Sequence, residues 1–471
     1  MRQRERIKTA TNISIETPNR RLSPGTPKLS VVINPRAAAA MSPMTESRRN
    51  RRTAAAQVGV CGLVTAGCGE KWVHGGCDTT KEGLVRYRGS MEKERIRLST
   101  EADVEAIMSM LDYSRTLMRA SGNVTQWRGY PTRKGILADI AAGVSYMIGD
   151  EGTFALVPGE EPTYGVIAHG RWIDSRRPYC TLHRLAKAAG ATGVAEAAFA
   201  YAKGHCDHLR VDTHKDNGTM LHLIEREGFV ECGEVYMADG SGRQAFEWWR
   251  WDEVRVSLRS FVEGEILPQY DRFDSAHGRD HARRVIARAM VLYRHLREGE
   301  GSSASMATVR PEMVYAAAAM HDLGLSEGRE GHHLASGRIV RRCPALGRWF
   351  DGKEVEMIAE AAEDHRASAT RAPRSMLGCI VAEADRDVEP ETIVRRTVEY
   401  GLSHYPELDQ KGHWHRTLEH LQEKYGEEGY IKLWLKDSPN EEPLSELRAL
   451  MADEPRLRVL FERFMTLNPK P

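Results

Sequence analysis

Two different hydrophobic rhythms divide the chain. From Ile96 to about Arg250, short runs with a period of two alternate with stretches of helical period. The runs at Ile96 to Leu98, Val144 to Ile148 and Thr153 to Val157 predict strands. So do a run opening at Val166 and those at Tyr179 to Ala186, His208 to Thr213, Phe229 to Met237 and Gln244 to Trp248. Helices are predicted from a Thr100 cap through Met118, over Val194 to Ala202, and over Met220 to Glu227. After Trp251 the alternation stops, and helical periodicity runs from Glu253 to Phe464. Pro344, Pro373, Pro390 and Pro406 fall near its predicted helix ends, and Gly299 to Met306 reads as a loop.

The pattern predicts a multidomain chain: a tail over residues 1–92, a mixed α/β domain over 93–250 and an all-α domain over 256–470. The tail is rich in Arg, Ser, Pro and Ala and poor in acids, a composition expected to be disordered. Within it, Arg48 to Arg52 followed by the weakly apolar Ala54 to Gly67 is a faint copy of a signal peptide. It begins far from Met1, and secretion is not expected. A start at Met91 is an alternative reading of the tail. With 41% hydrophobic and 28% charged residues the composition is that of an ordinary globular protein. A net charge of +1 gives no field to draw the chain onto nucleic acid or anionic membrane, so neither is expected as a partner. No run of about 20 apolar residues occurs. The eight cysteines form no CxxC pair and read as mostly reduced thiols in a cytoplasmic protein.

The helical half gathers metal-ligand chemistry. His277 and His281 stand four apart, on one helix face. The apolar run Val314 to Met320 ends in His321-Asp322, and Gly331 is followed by His332-His333. His365 lies on the face of Ile358 and Ala361, and Asp385 shares a face with Leu377 and Val381. A single inward histidine is usually a satisfied core residue. Several inward histidines and carboxylates in one helical domain call for a shared cation, because a buried carboxylate among apolar neighbours is costly alone.

The order of these residues resembles the HD superfamily of metal-dependent phosphohydrolases. His281 matches the first ligand, His321-Asp322 the dyad and Asp385 the last ligand. Two-metal members add two histidines between dyad and final Asp, where His333 and His365 stand. His277 and His332 are left over, and either can replace its neighbour. The resemblance implies one or two divalent ions (Mn, Fe, Co or Zn), with Asp322 both a ligand and a catalytic group. The reaction implied is hydrolysis of a phosphorylated small molecule or nucleotide. Arg284, Arg366 and Arg386, beside the ligands, are candidates to neutralise phosphate.

In the first half, Gly190-Ala191-Thr192-Gly193-Val194-Ala195 follows a strand and opens a helix, where backbone N–H groups can meet a pyrophosphate. With the strand Leu182 to Ala186 before it, and Leu209 to Thr213, Asn217 and Gly228-Phe229 after it, this stretch resembles the GNAT superfamily of acetyl-CoA-dependent N-acyltransferases. The family's phosphate loop reads Arg/Gln-x-x-Gly-x-Gly/Ala; Gly193 and Ala195 match it, whereas Gly190 departs from its first position. The resemblance implies acetyl-CoA held by Leu185, Lys187, residues 190–195 and Asn217, with a small-molecule amine as acceptor. His183 is the candidate base. Many members carry a tyrosine acid four residues before the Gly-Phe pair; Ile224 occupies that position here, and Tyr236 is the substitute candidate. Together the resemblances imply a bifunctional enzyme. The alternative is an acyl-CoA-sensing, non-catalytic first domain that regulates the hydrolase.

Overall fold

The computed structural model describes residues 95–467 apart from 275, 300–303, 370 and 437, so the tail and the signal-like segment lie outside the described residues. Strand β1 (Ile96–Leu98) leads through a capping box, in which Thr100 and Asp103 bond reciprocally, into α1 (Val104–Ala120). Helix α2 (Arg133–Ala141) was not anticipated from the pattern. Only Ile136 of its nine residues is buried, so its apolar period is weak, and Thr132 starts it by accepting from the Gly135 N–H. β2 (Ser145–Ile148) and β3 (Gly152–Pro158) pair antiparallel, and β4 (Ile167–Ala168) is a short edge strand. β5 (Cys180–Lys187) crosses through α3 (Val194–His205) to β6 (His208–Thr213). α4 (Gly218–Arg226), β7 (Val230–Tyr236) and β8 (Gly242–Trp249) complete the domain. The sheet order is β1-β2-β3-β5-β6-β8-β7-β4, and only β5 and β6 run parallel. Phe154, Phe199, Leu209 and Ile224 fill the space between this sheet and its helices.

All further regular structure among the described residues is helical: α5 (Val256–Phe261), α6 (Arg279–Glu298), α7 (Pro311–Met320), α8 (His332–Arg341), α9 (Gly352–Asp364) and α10 (Met376–Asp385). α11 (Pro390–His404), α12 (Gln410–Tyr425), α13 (Glu441–Ala452) and α14 (Glu454–Leu467) follow. α7 is buried along its whole length and rich in alanine, which lets its neighbours approach closely. α11 to α14 enclose an apolar cluster of their own around Val394, Trp414, Leu447 and Phe461.

The apolar packing does not stop where the rhythm changes at Trp251. Val230, Trp249 and Trp251 belong to the same apolar cluster as α5 to α10. α6 fastens this seam. Arg294 stacks on Trp251 at 4.2 Å and donates to the Arg250 carbonyl at 2.6 Å. His295 Nε2 lies 3.5 Å from Asp174, Arg177 pairs with Glu298 at 2.6 Å, and Arg283 donates to the Glu225 carbonyl. Among the described cysteines Cys232, Cys343 and Cys379 are free thiols, as the reading of mostly reduced cysteines expects, whereas Cys180 and Cys206 form a disulfide between β5 and the end of α3. No helix among the described residues is long and apolar enough to cross a membrane.

Candidate metal centre and cofactor cleft

Helix ends deliver the histidines and aspartates of the helical half to one place. His281 sits in the first turn of α6 and His332 opens α8. His321 and Asp322 follow the last residue of α7, His365 follows α9, and Asp385 closes α10. Three of these contributions come from helix C-termini, whose free carbonyls carry partial negative charge favourable to a cation. Those carbonyls also fix the imidazoles. Nδ1 of His321 lies 2.8 Å from the Ala318 oxygen, and Nδ1 of His365 lies 2.6 Å from that of Ala362. Nδ1 of His332 is 2.8 Å from the Arg329 oxygen. A carbonyl only accepts, so each Nδ1 donates a proton to it and each ring turns its Nε2 inward.

Two groups result, His281–His321–Asp385 and Asp322–His332–His365. Nε2 of His281 is 3.2 Å from Nε2 of His321, and Nε2 of His332 is 3.2 Å from Nε2 of His365. Asp385 Oδ1 lies 3.2 Å from His281 and 3.7 Å from His321. Asp322 divides its carboxylate between the groups. Oδ2 is 3.6 Å from His281 and 3.4 Å from His321, while Oδ1 is 3.5 Å from His332 and 3.3 Å from His365. Four imidazoles and two carboxylates crowded this closely are a borderline nitrogen–oxygen donor set, and they fit divalent cations, with the Asp322 carboxylate shared by both groups. Burial disfavours a charged His281, yet Asp322 and Asp385 outweigh it and raise its pKa to about 9 in the metal-free chain. Both carboxylates are costly to bury, but the histidines around them hold them well below the usual carboxylate range.

The turn between α7 and α8 needs its glycine. A Cβ on Gly324 would run into the His332 carbonyl and the Ser336 nitrogen, so only glycine lets α8 pack this closely to the dyad. Gly324 N–H donates to Ser336 Oγ at 2.9 Å. The buried Tyr270 hydroxyl donates to the Ala319 carbonyl at 2.9 Å and accepts from the Asp322 N–H at 3.3 Å, holding the backbone of the dyad.

Of the six residues read as ligands, His281, His321, Asp322, His365 and Asp385 converge. His333 does not, and its place is taken by its neighbour His332. α8 begins at His332, and successive helical side chains diverge by about 100°, so only one of the doublet faces the centre. Burial and the nearby Arg366 lower the His333 pKa to about 4. His277 pairs with Asp274 at 2.8 Å and belongs to neither group. Arg386 is turned back onto the Ala382 carbonyl and Arg366 bonds Ser368, whereas Arg284 makes no hydrogen bond or ion pair among the described residues.

The α/β half is organised around a split in its sheet. β5 and β6 pair only at Cys180↔Leu209 and Thr181↔Arg210, then separate. Against β3, the register moves from Ala155↔His183 to Thr153↔Ala186, so Arg184 and Leu185 together face Phe154. This bulge, with Arg184 at φ 54°, turns β5 away from β6. The opening is a cavity of about 680 Å³ lined by residues 182–187, Asp212, Thr213 and Asn217 together with Glu161, Trp127 and Tyr130. Beyond β5, Gly190 and Gly193 adopt φ 78° and 74°, and Gly193 caps α3 in the left-handed conformation with open space where a Cβ would be. Lys187 Nζ donates to the Ala191 carbonyl at 2.8 Å.

Leu185, Lys187, Val194, Ala195 and Asn217 line this cavity, and Gly190, Ala191, Thr192 and Gly193 form the loop between its strand and helix. Asn217 caps α4 and donates to Gln126 at 3.2 Å. His183 also lines it, with Nε2 3.3 Å from Glu161 Oε2. That hydrogen bond and those from Thr163 hold the Glu161 pKa at about 2. Sequence reasoning missed Glu161, which precedes a short turn where no periodicity marks it. Tyr236 is outside the cavity. It is 43% exposed and bonds Glu234, because alternation along β7 buries Val235 and turns Tyr236 outward. Ile224 is wholly buried in the core.

Among solved structures, an acetyltransferase of the GNAT family from Streptococcus agalactiae is similar, with 28% identity and a TM-score of 0.31 over 33% of this chain and 95% of the other. A GNAT-family acetyltransferase from Listeria monocytogenes matches with 16% identity and a TM-score of 0.27, over 33% of this chain and 94% of the other. No curated protein matched the chain. The family model named HD domain matches residues 278–388, a span that contains both histidine–aspartate groups. This chain therefore carries an HD domain behind its α/β sheet domain.

Proposed function

We propose that the chain is a bifunctional enzyme: a divalent-metal-dependent phosphohydrolase in its HD domain, and an acetyl-CoA-dependent N-acyltransferase in the domain before it. The observation that carries the first activity is the Asp322 carboxylate, with one oxygen toward each histidine group. His281, His321, Asp322 and Asp385 would hold one ion, and Asp322, His332 and His365 a second. Bound there, such ions polarise phosphoryl oxygens and lower the pKa of a bound water. The protein's part is to lock three imidazole tautomers through backbone carbonyls and to keep both carboxylates ionised.

In the acyl cleft, the unpaired edge of β5 offers backbone groups to pantetheine, and the loop over 190–193 offers N–H groups to pyrophosphate. An amine acceptor must lose a proton before it attacks the thioester. Glu161 stays ionised and orients His183, which places a base on the strand beside the thioester. Acceptor and phosphorylated substrate are both proposed to be small molecules.

A second reading is favoured by one observation: no phenol among the candidates reaches the cleft, because position 224 is a buried isoleucine and Tyr236 faces away. The α/β domain would then bind acyl-CoA without turnover. The test uses the full chain, since the cores are continuous across Trp251. Metal content, chelator-sensitive phosphate release from a panel of esters, and acetyl-CoA calorimetry with thiol release from a panel of amines are measured together. A chain that carries no metal and gains no hydrolysis with Mn, Fe, Co or Zn defeats the first activity. Acetyl-CoA binding without thiol release supports the sensing domain.

A further inference from the structure

The side of α6 that carries His281 continues as a stripe of positive charge. Arg284 and Arg288 follow at three and seven residues, positions that share one helix face. The stripe meets Arg396 of α11 and Lys424 of α12, and one carboxylate stands among them, Asp387, two residues beyond Asp385. Arg396 pairs with Asp387 at 3.1 Å, while Arg288 is 3.7 Å away, too far for a hydrogen bond. Arg284 has no hydrogen-bond or ion-pair partner among the described residues, and its Nε is buried. Lys424 has no ion pair among them either; its ammonium lies over the Tyr425 ring and feels the charge of Asp385 as well as that of Asp387. Five cations therefore act on Asp387, these four and Arg171, whose hydrogen bonds go to the Pro439 carbonyl and Asn440; Glu231 is a lesser influence on Arg284.

Such an arrangement is unfavourable unless an anion completes it. Arginines are buried in numbers where they bind carboxylate or phosphate, and a partner missing from the chain leaves the desolvation uncompensated. Side chains of Arg288 and Asp387 are 16% and 14% exposed, comparable with His281 at 16%, so recess and metal ligands reach solvent to a similar extent. Burial lowers the pKa of both Arg284 and Arg288, and each guanidinium is further disfavoured by neighbouring arginines.

We infer that this recess is an anion subsite of the HD centre, and that the substrate hydrolysed there carries a second phosphoryl group. On the helical rise, Arg284 and Arg288 lie about 5 and 10 Å along the axis from His281. The two phosphoryl groups are therefore separated by a linker of a few bonds, as in a nucleoside or sugar bisphosphate. The inference rests on the phosphohydrolase reading above. In the reaction, a water oxygen bonds to phosphorus at the metal ligands and the ester P–O bond breaks. The alcohol oxygen leaves with a proton, and the second phosphoryl group stays bound to the arginines unchanged.

The test has a binding arm and a kinetic arm, both on the full chain. Inorganic pyrophosphate is titrated calorimetrically into the metal-free protein. Arg396→Gln, at a side chain 40% exposed and thus of little consequence for folding, is expected to weaken binding about tenfold, and Arg396→Lys to restore part of it. Arg288→Gln is expected to weaken it further. In the kinetic arm, 5′-AMP is compared with adenosine 3′,5′-bisphosphate, and glucose 6-phosphate with fructose 1,6-bisphosphate. The bisphosphates are expected to show kcat/KM about 10- to 100-fold above the monophosphates, a ratio that falls in Arg396→Gln. Preference in one pair alone identifies the linker as nucleoside or sugar. Equal kcat/KM within both pairs, or pyrophosphate binding indifferent to both arginine variants, overturns the inference and leaves the phosphohydrolase standing. Absence of all hydrolysis defeats the phosphohydrolase, and the calorimetric arm still decides whether the recess takes an anion.

Discussion

Side chains make the candidate metal centre, whereas the cleft beside β5 is made mainly of backbone. Six residues from the ends of five helices meet at the centre, and each is there for one donor atom. The cleft owes its shape to a bulge in β5, a pair of strands that part after two residues, and a loop with two left-handed glycines. A position at the centre admits only one or two donor types, whereas the cleft depends first on its backbone path. The two regions should therefore answer differently to mutation.

The largest effect is expected at Asp322. Asp322→Ala removes the carboxylate common to both histidine groups, and phosphate release should fall by about 1,000-fold or more with loss of bound metal. Acetyl-CoA binding should be unchanged, and metal content, ester hydrolysis and calorimetry read this together. A variant that keeps its metal and its rate would erase the contrast between the regions. Next comes Gly193→Glu, which forces a side chain into the left-handed region and brings negative charge to the start of α3. Acetyl-CoA affinity should fall by about 100-fold, while Gly193→Ala, strained but uncharged, should lose less. Equal losses would assign the loop a steric role only.

The third comparison sharpens the centre itself. His332→Ala should weaken the affinity for one of the metal ions by about 10- to 100-fold, measured by competition with a chelator. His333→Ala should stay within about twofold of the parent chain. The reverse result would restore the reading made from sequence. The smallest effect concerns the cleft and acid. Glu161 has its pKa lowered from 4.5 to about 2 in the folded chain, so its ionised form stabilises the fold above about pH 4.5, and this contribution disappears as pH falls through about 2. Glu161→Gln should flatten that part of the acid-unfolding profile and leave stability above pH 5 lower by a constant amount. An unchanged acid limb would mean that the pairing with His183 does not persist in solution.

The order His281, His321-Asp322, His365, Asp385 was legible because metal chemistry restricts each position to one or two residue types and helical period points them inward. The doublet His332-His333 was not resolvable in this way. Either residue can ligate, and the choice depends on the residue at which α8 begins, which Gly331 sets through its backbone conformation. In the cleft the glycines and Asn217 were readable as loop and cap chemistry. Glu161 carried no signal, because it meets His183 only after β3 and β5 have paired. The continuous core was hidden for a related reason: Trp249 and Trp251 fall just past the last predicted strand, and nothing local says that they face helices. The strand-to-helix switch is a change of rhythm but not a limit of packing.

That seam bears on how the chain can be divided. α6 spans about 30 Å, with a metal ligand in its first turn and Arg294 and His295 against the α/β half near its last. Excision at the switch would leave one product with two bare tryptophans and the other with a vacancy shaped to receive them. Neither half is then a portable module, and an exchanged α/β half would have to bring the tryptophans as well as the cleft.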